Sequence, residues 1–170
     1  IHTGYDKKSG NGEMAIPISQ TTAYAFRDSE HAANLFALKE LGPIYTRLNN
    51  PTNDILEQRY AQLENGAAAL VTASGASAIF YSIANIAEAG DNILISDKLY
   101  GGSVTLFHFT LKRFGISVKT FKSDDASDLE SLIDDKTKGI FFESLSNPQI
   151  AIPAIEKIVE VAKKHGIITI

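Results

Sequence analysis

Apolar and polar positions follow two different rhythms along this chain, and the change falls between residues 60 and 67. From Ala67 onward, short apolar runs at Ala68–Thr72, Asn92–Ser96, Ile116–Phe121, Lys138–Glu143 and Ile167–Ile170 alternate with stretches of helical period at 76–89, 101–114, 126–133 and 153–165. Continuous Ile/Leu/Val/Phe runs bounded by turn residues predict strands covered on both faces, and a helix between each pair predicts crossover connections. The expected fold class is therefore α/β, the front part of a mainly parallel, doubly wound sheet, with its last helix stopped by Gly166. The final run is apolar up to Ile170, with no turn or cap after it, which predicts the front portion of something longer, truncated at a buried strand.

The first sixty residues behave differently. Ile1–Phe26 is rich in Gly, Ser and Thr, contains Pro17 and shows no sustained period, so an arm is expected. A helix is predicted after Asp28 or Ser29, with Ala32, Leu35, Phe36, Leu38 and Leu41 on its apolar face and Gly42-Pro43 as its stop. A second is predicted from Asn50-Pro51, with Pro at the first helical position, Ile55, Leu56, Tyr60 and Leu63 on one side, and Asn65-Gly66 as its end. The expected division is 1–60, arm and helices, and 61–170, an incomplete α/β domain.

Composition narrows the function classes. At 170 residues with 44% hydrophobic and 21% charged, the chain is too apolar for disorder and too mixed for a coiled coil. Sixteen Lys+Arg against 20 Asp+Glu, with no basic block, argue against nucleic acid as a partner. The absence of Cys removes disulfides, thiolate chemistry and Cys-ligated zinc. His2, His31, His108 and His165 show no ligand or triad spacing, so no metal is expected and surface or cap roles are assigned to them. No apolar run approaches the ~18 residues of a membrane span and the first residues lack a signal-peptide pattern, so a cytoplasmic location is expected.

In open α/β sheets, ligands sit beyond the carboxyl ends of the strands, where the next helices aim free N–H groups. Ser74-Gly75-Ala76-Ser77 there is a turn of small residues opening a helix, suited to a phosphate and equally to tight packing. Tyr100 precedes Gly101-Gly102 at the same rim, where its ring could lie on a flat heterocycle or pack beneath the turn. Asn147, before Pro148, could donate to an oxygen on a bound ring or close an Asx-turn. Tyr45-Thr46-Arg47 places a phenol and a guanidinium on one side of an extended link, as a phosphate clamp or as a packed Tyr beside an exposed Arg. The pairs Asp124-Asp125 and Asp134-Asp135, and Lys98, Lys112, Lys119 and Lys122, are read as solvated charge. Residues alone thus point to a flat, phosphorylated ring ligand.

The strings Gln20-Thr21-Thr22-Ala23-Tyr24, Tyr45-Thr46-Arg47 through Asn50-Pro51-Thr52, Ser74-Gly75, Tyr100-Gly101-Gly102 and Ser146-Asn147-Pro148 occur in this order, and the chain resembles the pyridoxal-phosphate enzymes of cysteine and methionine metabolism over essentially its whole length. Thr22-Ala23-Tyr24, Ala32-Ala33 through Leu35-Phe36 and Ile44 to Leu48 are most similar to the O-acetylhomoserine sulfhydrylase branch. The resemblance implies a fold-type-I transferase fold with pyridoxal 5′-phosphate as cofactor. It implies that the N–H groups of Gly75 and Ala76 hold the phosphate, that Tyr100 stacks on the pyridine ring, and that Asn147 bonds the ring hydroxyl oxygen with Glu143 supporting it. Tyr45 and Arg47 would bind the phosphate of a neighbouring subunit, making a homo-oligomer, dimer or tetramer, part of the site. Tyr100 and Tyr45 are the implied catalytic phenols. The implied reaction is γ-replacement on O-acetylhomoserine by sulfide or a small thiol, giving homocysteine for methionine biosynthesis. The Schiff-base lysine of the family has no counterpart in this sequence, and Leu145 replaces a common Pro. A sister cystathionine synthase or lyase, a methionine lyase, or a non-catalytic nucleotide-binding module are the rival readings.

Overall fold

The computed structural model describes residues 3–6, 8 and 12–170; His2 lies outside them. The chain divides into two compact units, Ile1–Val71 and Thr72–Ile170. A boundary at residue 60 falls inside a continuous helix, and the division comes after it.

In the first unit, α1 (Ser29–Phe36) starts at Asp28, whose side chain accepts the His31 N–H at 2.7 Å. It ends a turn earlier than its apolar pattern predicts. Leu38 adopts φ 55, and Leu38 and Leu41 are exposed; only Leu35 of the predicted face is buried. Arg27 and His31 both reach Glu40 in the turn that follows. α2 (Pro51–Leu63) begins at Asn50 with Pro at its first position, as predicted, and closes at Asn65 in the left-handed region. Its apolar side is not buried within this chain: Leu56, Tyr60 and Leu63 are exposed.

The second unit is a wound parallel sheet. α3 (Gly75–Ala84), β1 (Asn92–Ser96), α4 (Gly101–Thr105), β2 (Ser117–Phe121), α5 (Leu129–Leu132), β3 (Thr137–Phe141), α6 (Ile155–His165) and β4 (Ile168–Thr169) follow in order. The strands lie as β2-β1-β3-β4, every pairing parallel. α4 continues as a wider π turn over Leu106–Thr110 and a 3₁₀ turn over Leu111–Phe114, ended by Gly115 at φ 76. The predicted helix thus keeps its length and changes its hydrogen bonding.

Alternation along β1 builds two cores. Ile93 and Ile95 join Ile83, Phe107, Leu111 and Phe141 on the face covered by α3 and α4. Leu94 joins Phe121, Leu129, Ile140 and Ile158 on the face covered by α5 and α6. Each of these side chains contributes roughly 1.5–3 kcal/mol on burial, and their position on both faces is what an apolar parallel strand requires. Phe107 and Phe141 meet at 4.9 Å between ring centroids.

Two sequence readings are corrected here. Ala68–Thr72 forms no strand among the described residues: no strand pairs with it, and the Val71 N–H donates instead to the Glu57 carboxylate at 2.8 Å. A strand exists only through its ladder, which an apolar run alone does not supply. Helix α5 is a single turn, because Ala126 takes φ 47 and the Asp125 side chain accepts the Ser127 N–H, closing a turn where helix was expected. Among the described residues, no helix is long and apolar enough to cross a membrane.

Candidate cofactor site

The order of the sheet locates the site. From β1 the chain moves to β2 on one side, while β3 lies on the other, so a crevice opens between the carboxyl ends of β1 and β3. Tyr100 follows β1 there and Asn147 follows β3.

Glu143 joins the two. Its Oε1 accepts the Tyr100 N–H at 3.0 Å and lies 3.5 Å from the buried Ser103 hydroxyl, and its Oε2 accepts the Asn147 N–H at 3.2 Å. Both turns are therefore held by one carboxylate. The Asn147 turn is closed further along by Ser146: its N–H donates to the Ala151 carbonyl at 3.0 Å and its hydroxyl accepts the Ala151 N–H at 3.1 Å. Asn147 precedes Pro148 through a cis peptide, and its exposed side chain faces solvent. Tyr100 is 56% exposed, and its ring stands where a side chain at residue 102 would otherwise project.

α3 runs toward the start of β1, so its first turn stands at the same carboxyl edge as Tyr100, and α3 packs against α4. Ser74 caps it: its Oγ accepts the Ser77 N–H at 3.1 Å. That cap uses the donor of the third helical residue, and the first two donors, Gly75 and Ala76, have no carbonyl one turn back to bond. No atom lies within 4 Å of where a Cβ on Gly75 would stand, so a group can approach that backbone closely. Two free helix-start N–H groups suit a phosphate, an exposed aromatic face suits a flat ring, and an exposed amide suits a ring oxygen. The residues fit pyridoxal phosphate.

Tyr45 and Arg47 lie in the first unit. Tyr45 makes an antiparallel bridge with Ala23, the Thr46 N–H donates to the Thr22 carbonyl at 2.8 Å, and the Thr46 hydroxyl bonds the Thr21 carbonyl. This pins the link to the arm and leaves Arg47 with its guanidinium carbon 4.6 Å over the Tyr45 ring. The two expected partners do stand side by side. Asn50, 5% exposed, secures the same link: its amide reaches the Ser19 carbonyl, the Tyr24 hydroxyl and Thr46, while its oxygen accepts the Thr52 N–H. An apolar cavity of about 370 Å³ adjoins the pair, lined by Tyr24, Phe26, Phe36, Ile44 and Leu48.

Some charges read as solvated are also paired, while their carboxylates stay exposed. Lys119 donates to the Asp134 carboxylate at 2.5 Å and to the Leu132 carbonyl at 2.8 Å, and Lys98 pairs with Asp124. Asp134 is held below the usual carboxylate range by the Lys119 bond and then by the Asn92 amide. Asp97, beside Tyr100's turn, accepts both the N–H and the hydroxyl of buried Ser123 at 3.0 and 2.6 Å. No local motif announces these contacts, because they join residues far apart in sequence. His31 accepts the Arg27 N–H through Nδ1 and His165 meets Glu130, in keeping with surface and cap roles; His108 stands exposed in the widened turn after α4. No metal-binding cluster occurs among the described residues.

Comparison with known proteins accords with this geometry. Residues 1–170 match the family of Cys/Met metabolism PLP-dependent enzymes. The chain is 46% identical to the homocysteine synthase of Schizosaccharomyces pombe over 98% of its own length and 39% of that protein. A solved structure from Campylobacter jejuni, described as an O-acetylhomoserine (thiol)-lyase carrying N′-pyridoxyl-lysine-5′-monophosphate, superposes with TM-score 0.95 at 51% identity, over 99% of this chain and 41% of that one. Cystathionine γ-lyase from Lactobacillus plantarum, complexed with L-serine, superposes at 0.86 with 27% identity over 99% of this chain and 41% of that one. The chain spans about 40% of the length of the relatives it matches. With the family matched over its whole length and its fold and sequence shared with these proteins, the chain belongs to the Cys/Met metabolism PLP-dependent enzymes.

Proposed function

We propose that the protein carrying this chain exchanges the acetoxy group of O-acetylhomoserine for sulfide or a small thiol, releasing acetate and giving homocysteine or its thioether. Pyridoxal phosphate, when bound, supplies an electron sink for charge developing on the substrate carbons. Gly75 and Ala76 receive its phosphate on their N–H groups, and Tyr100 offers its open ring face to the pyridine. Asn147 donates its side-chain amide to the ring hydroxyl oxygen, and Glu143 holds Tyr100 and Asn147 at a fixed spacing. Tyr45 and Arg47 bind phosphate in the neighbouring subunit, so the active form is a homo-oligomer, a dimer or a homotetramer built from dimers. The hydroxyls of Tyr100 and Tyr45 are the phenols placed to hold or move protons near the reacting carbons. A cytoplasmic location accords with a chain that has no Cys.

The observation that carries this reading is the Glu143 bridge between Tyr100 and Asn147 at the crevice, beside a helix start with free N–H groups. The name and identity of the Campylobacter jejuni structure favour replacement over the lyase chemistry of the more distant neighbour. The test is an assay of the protein carrying this chain with O-acetylhomoserine plus sulfide, run beside cystathionine and methionine, with mass measurement after borohydride reduction. Homocysteine formation and a pyridoxyl adduct are expected. Turnover of cystathionine or methionine alone would assign it to a sister enzyme, and absence of the adduct would refute the cofactor reading.

A further inference from the structure

Gly102 lies in the first turn of α4, where alanine would be the better helix former, and its φ is outside the left-handed region. Neither backbone shape nor crowding by the core calls for glycine there, because the residue is exposed. What calls for it is the Tyr100 ring. A Cβ at residue 102 would stand 2.4 Å from Cε1 of Tyr100, 3.1 Å from Cδ1 and 3.3 Å from Cζ, the three nearest atoms all belonging to that ring. The ring thus occupies the space that a side chain at residue 102 would take, beside the start of its own helix. Its backbone is held from the other side, where Glu143 Oε1 accepts the Tyr100 N–H at 3.0 Å. The Cε1 edge of the ring is the part that a side chain at residue 102 would meet, and the residue remains 56% exposed, open to a ligand.

We infer that Gly102 is a positioning residue: its missing side chain sets the height and tilt of the Tyr100 ring, and so the fit of a flat heterocycle laid on that ring. The inference rests on the reading of Tyr100 as the cofactor's stacking partner. A methyl at residue 102 leaves the fold intact, since the group that must move is the far end of a rotatable side chain and the helix gains a better former. The ring then swings off its seat, and stacking, which depends on ring offset and angle, weakens.

The experiment uses the protein carrying this chain, with Gly102→Ala, Tyr100→Ala and the double variant, each stripped of cofactor and titrated with pyridoxal 5′-phosphate. Thermal midpoint, dissociation constant and visible circular dichroism of the bound cofactor are read together. Gly102→Ala is expected to keep or raise the midpoint, to weaken binding by about three- to tenfold and to change the dichroic band. In the Tyr100→Ala background the same methyl is expected to change nothing, as a double-mutant cycle for one ring contact requires. Wild-type binding and dichroism in Gly102→Ala would overturn the inference, as would a loss that persists without the Tyr100 ring. A wild-type protein that takes up no cofactor would overturn the reading of the site and this inference with it, so the two failures are distinguishable.

Discussion

Glu143 commits both carboxylate oxygens to backbone N–H groups, one from each side of the crevice, and glutamine can satisfy only one of them. The other N–H would face an amide NH₂. Glu143→Gln is therefore expected to loosen pyridoxal phosphate binding by about tenfold, and Glu143→Ala by more, in a fluorescence titration of the protein carrying this chain. A dissociation constant unchanged in both would show that the two turns hold their places without the carboxylate. Gly115 poses a different steric problem. Its φ is 76 and an added Cβ would stand 2.8 Å from the Cβ of Ala89, so Gly115→Ala combines left-handed strain with a clash against an exposed neighbour. About 1–3 kcal/mol of stability should be lost, read as a lower urea midpoint at unchanged slope. At this scale, sequence reading succeeds where a residue acts through its neighbours in the chain, as Asp28 and Asn50 do in capping their helices. It misses what a residue does across the fold: nothing local shows that Asn50 also ties Ser19, Tyr24 and Thr46 together, or that a side chain at residue 102 would meet the Tyr100 ring.

Among the elements, the pairing of β1 with β3 carries its own polar fastening. The register shifts after Asn92, which pairs with Thr137 while Ile93 already pairs with Gly139. At that irregularity, Asn92 accepts the Thr137 hydroxyl at 2.9 Å and donates its amide to Asp134 at 2.8 Å, and Lys119 of β2 closes the group. The strands' apolar runs were legible from periodicity, and so was their parallel order. The irregularity was not, because Asn92, Thr137 and Asp134 meet only once the strands are aligned. Asp134 titrates well below the ordinary carboxylate range, through the Lys119 bond first and the Asn92 bond second. A carboxyl whose folded-state pKa lies below its unfolded value near 3.9 stabilises the fold fully above that value and loses the contribution as pH falls toward the folded one. Stability should thus fall on acidification below about pH 4, and Asp134→Asn should be less stable at neutral pH with a shallower acid limb. Urea midpoints between pH 3 and 7 test this; parallel limbs for the two proteins would remove Asp134 from the account. The Ala68–Thr72 run shows the converse limit, an apolar segment with strand composition whose ladder no other described strand provides.

For the molecule as a whole, the proposal that Tyr45 and Arg47 clamp the phosphate of a neighbouring copy has a test set by symmetry. They belong to the first compact unit, whereas Gly75, Tyr100 and Asn147 belong to the second. The pair sits in a link fastened by Thr46 and Asn50, beside exposed apolar groups on Phe36 and Leu48, so it is presented at a surface. In a two-fold dimer with exchanged pairs, each site draws its clamp from the opposite copy. A subunit carrying Arg47→Ala then spoils its partner's site, while one carrying Asn147→Ala spoils its own. When the two variants are unfolded, mixed in equal amounts and refolded together, half the dimers are hybrids, and each hybrid has one site free of both changes and one site with both. About a quarter of the unmutated activity should return from two nearly inactive parents, a figure set by the symmetry alone. If the clamp instead serves its own copy, every hybrid site carries one defect and the mixture stays at the parental level. Assay of homocysteine formation before and after mixing separates the two arrangements, and recovery without any change in total cofactor content would place the missing guanidinium, rather than cofactor supply, as the group restored across the interface.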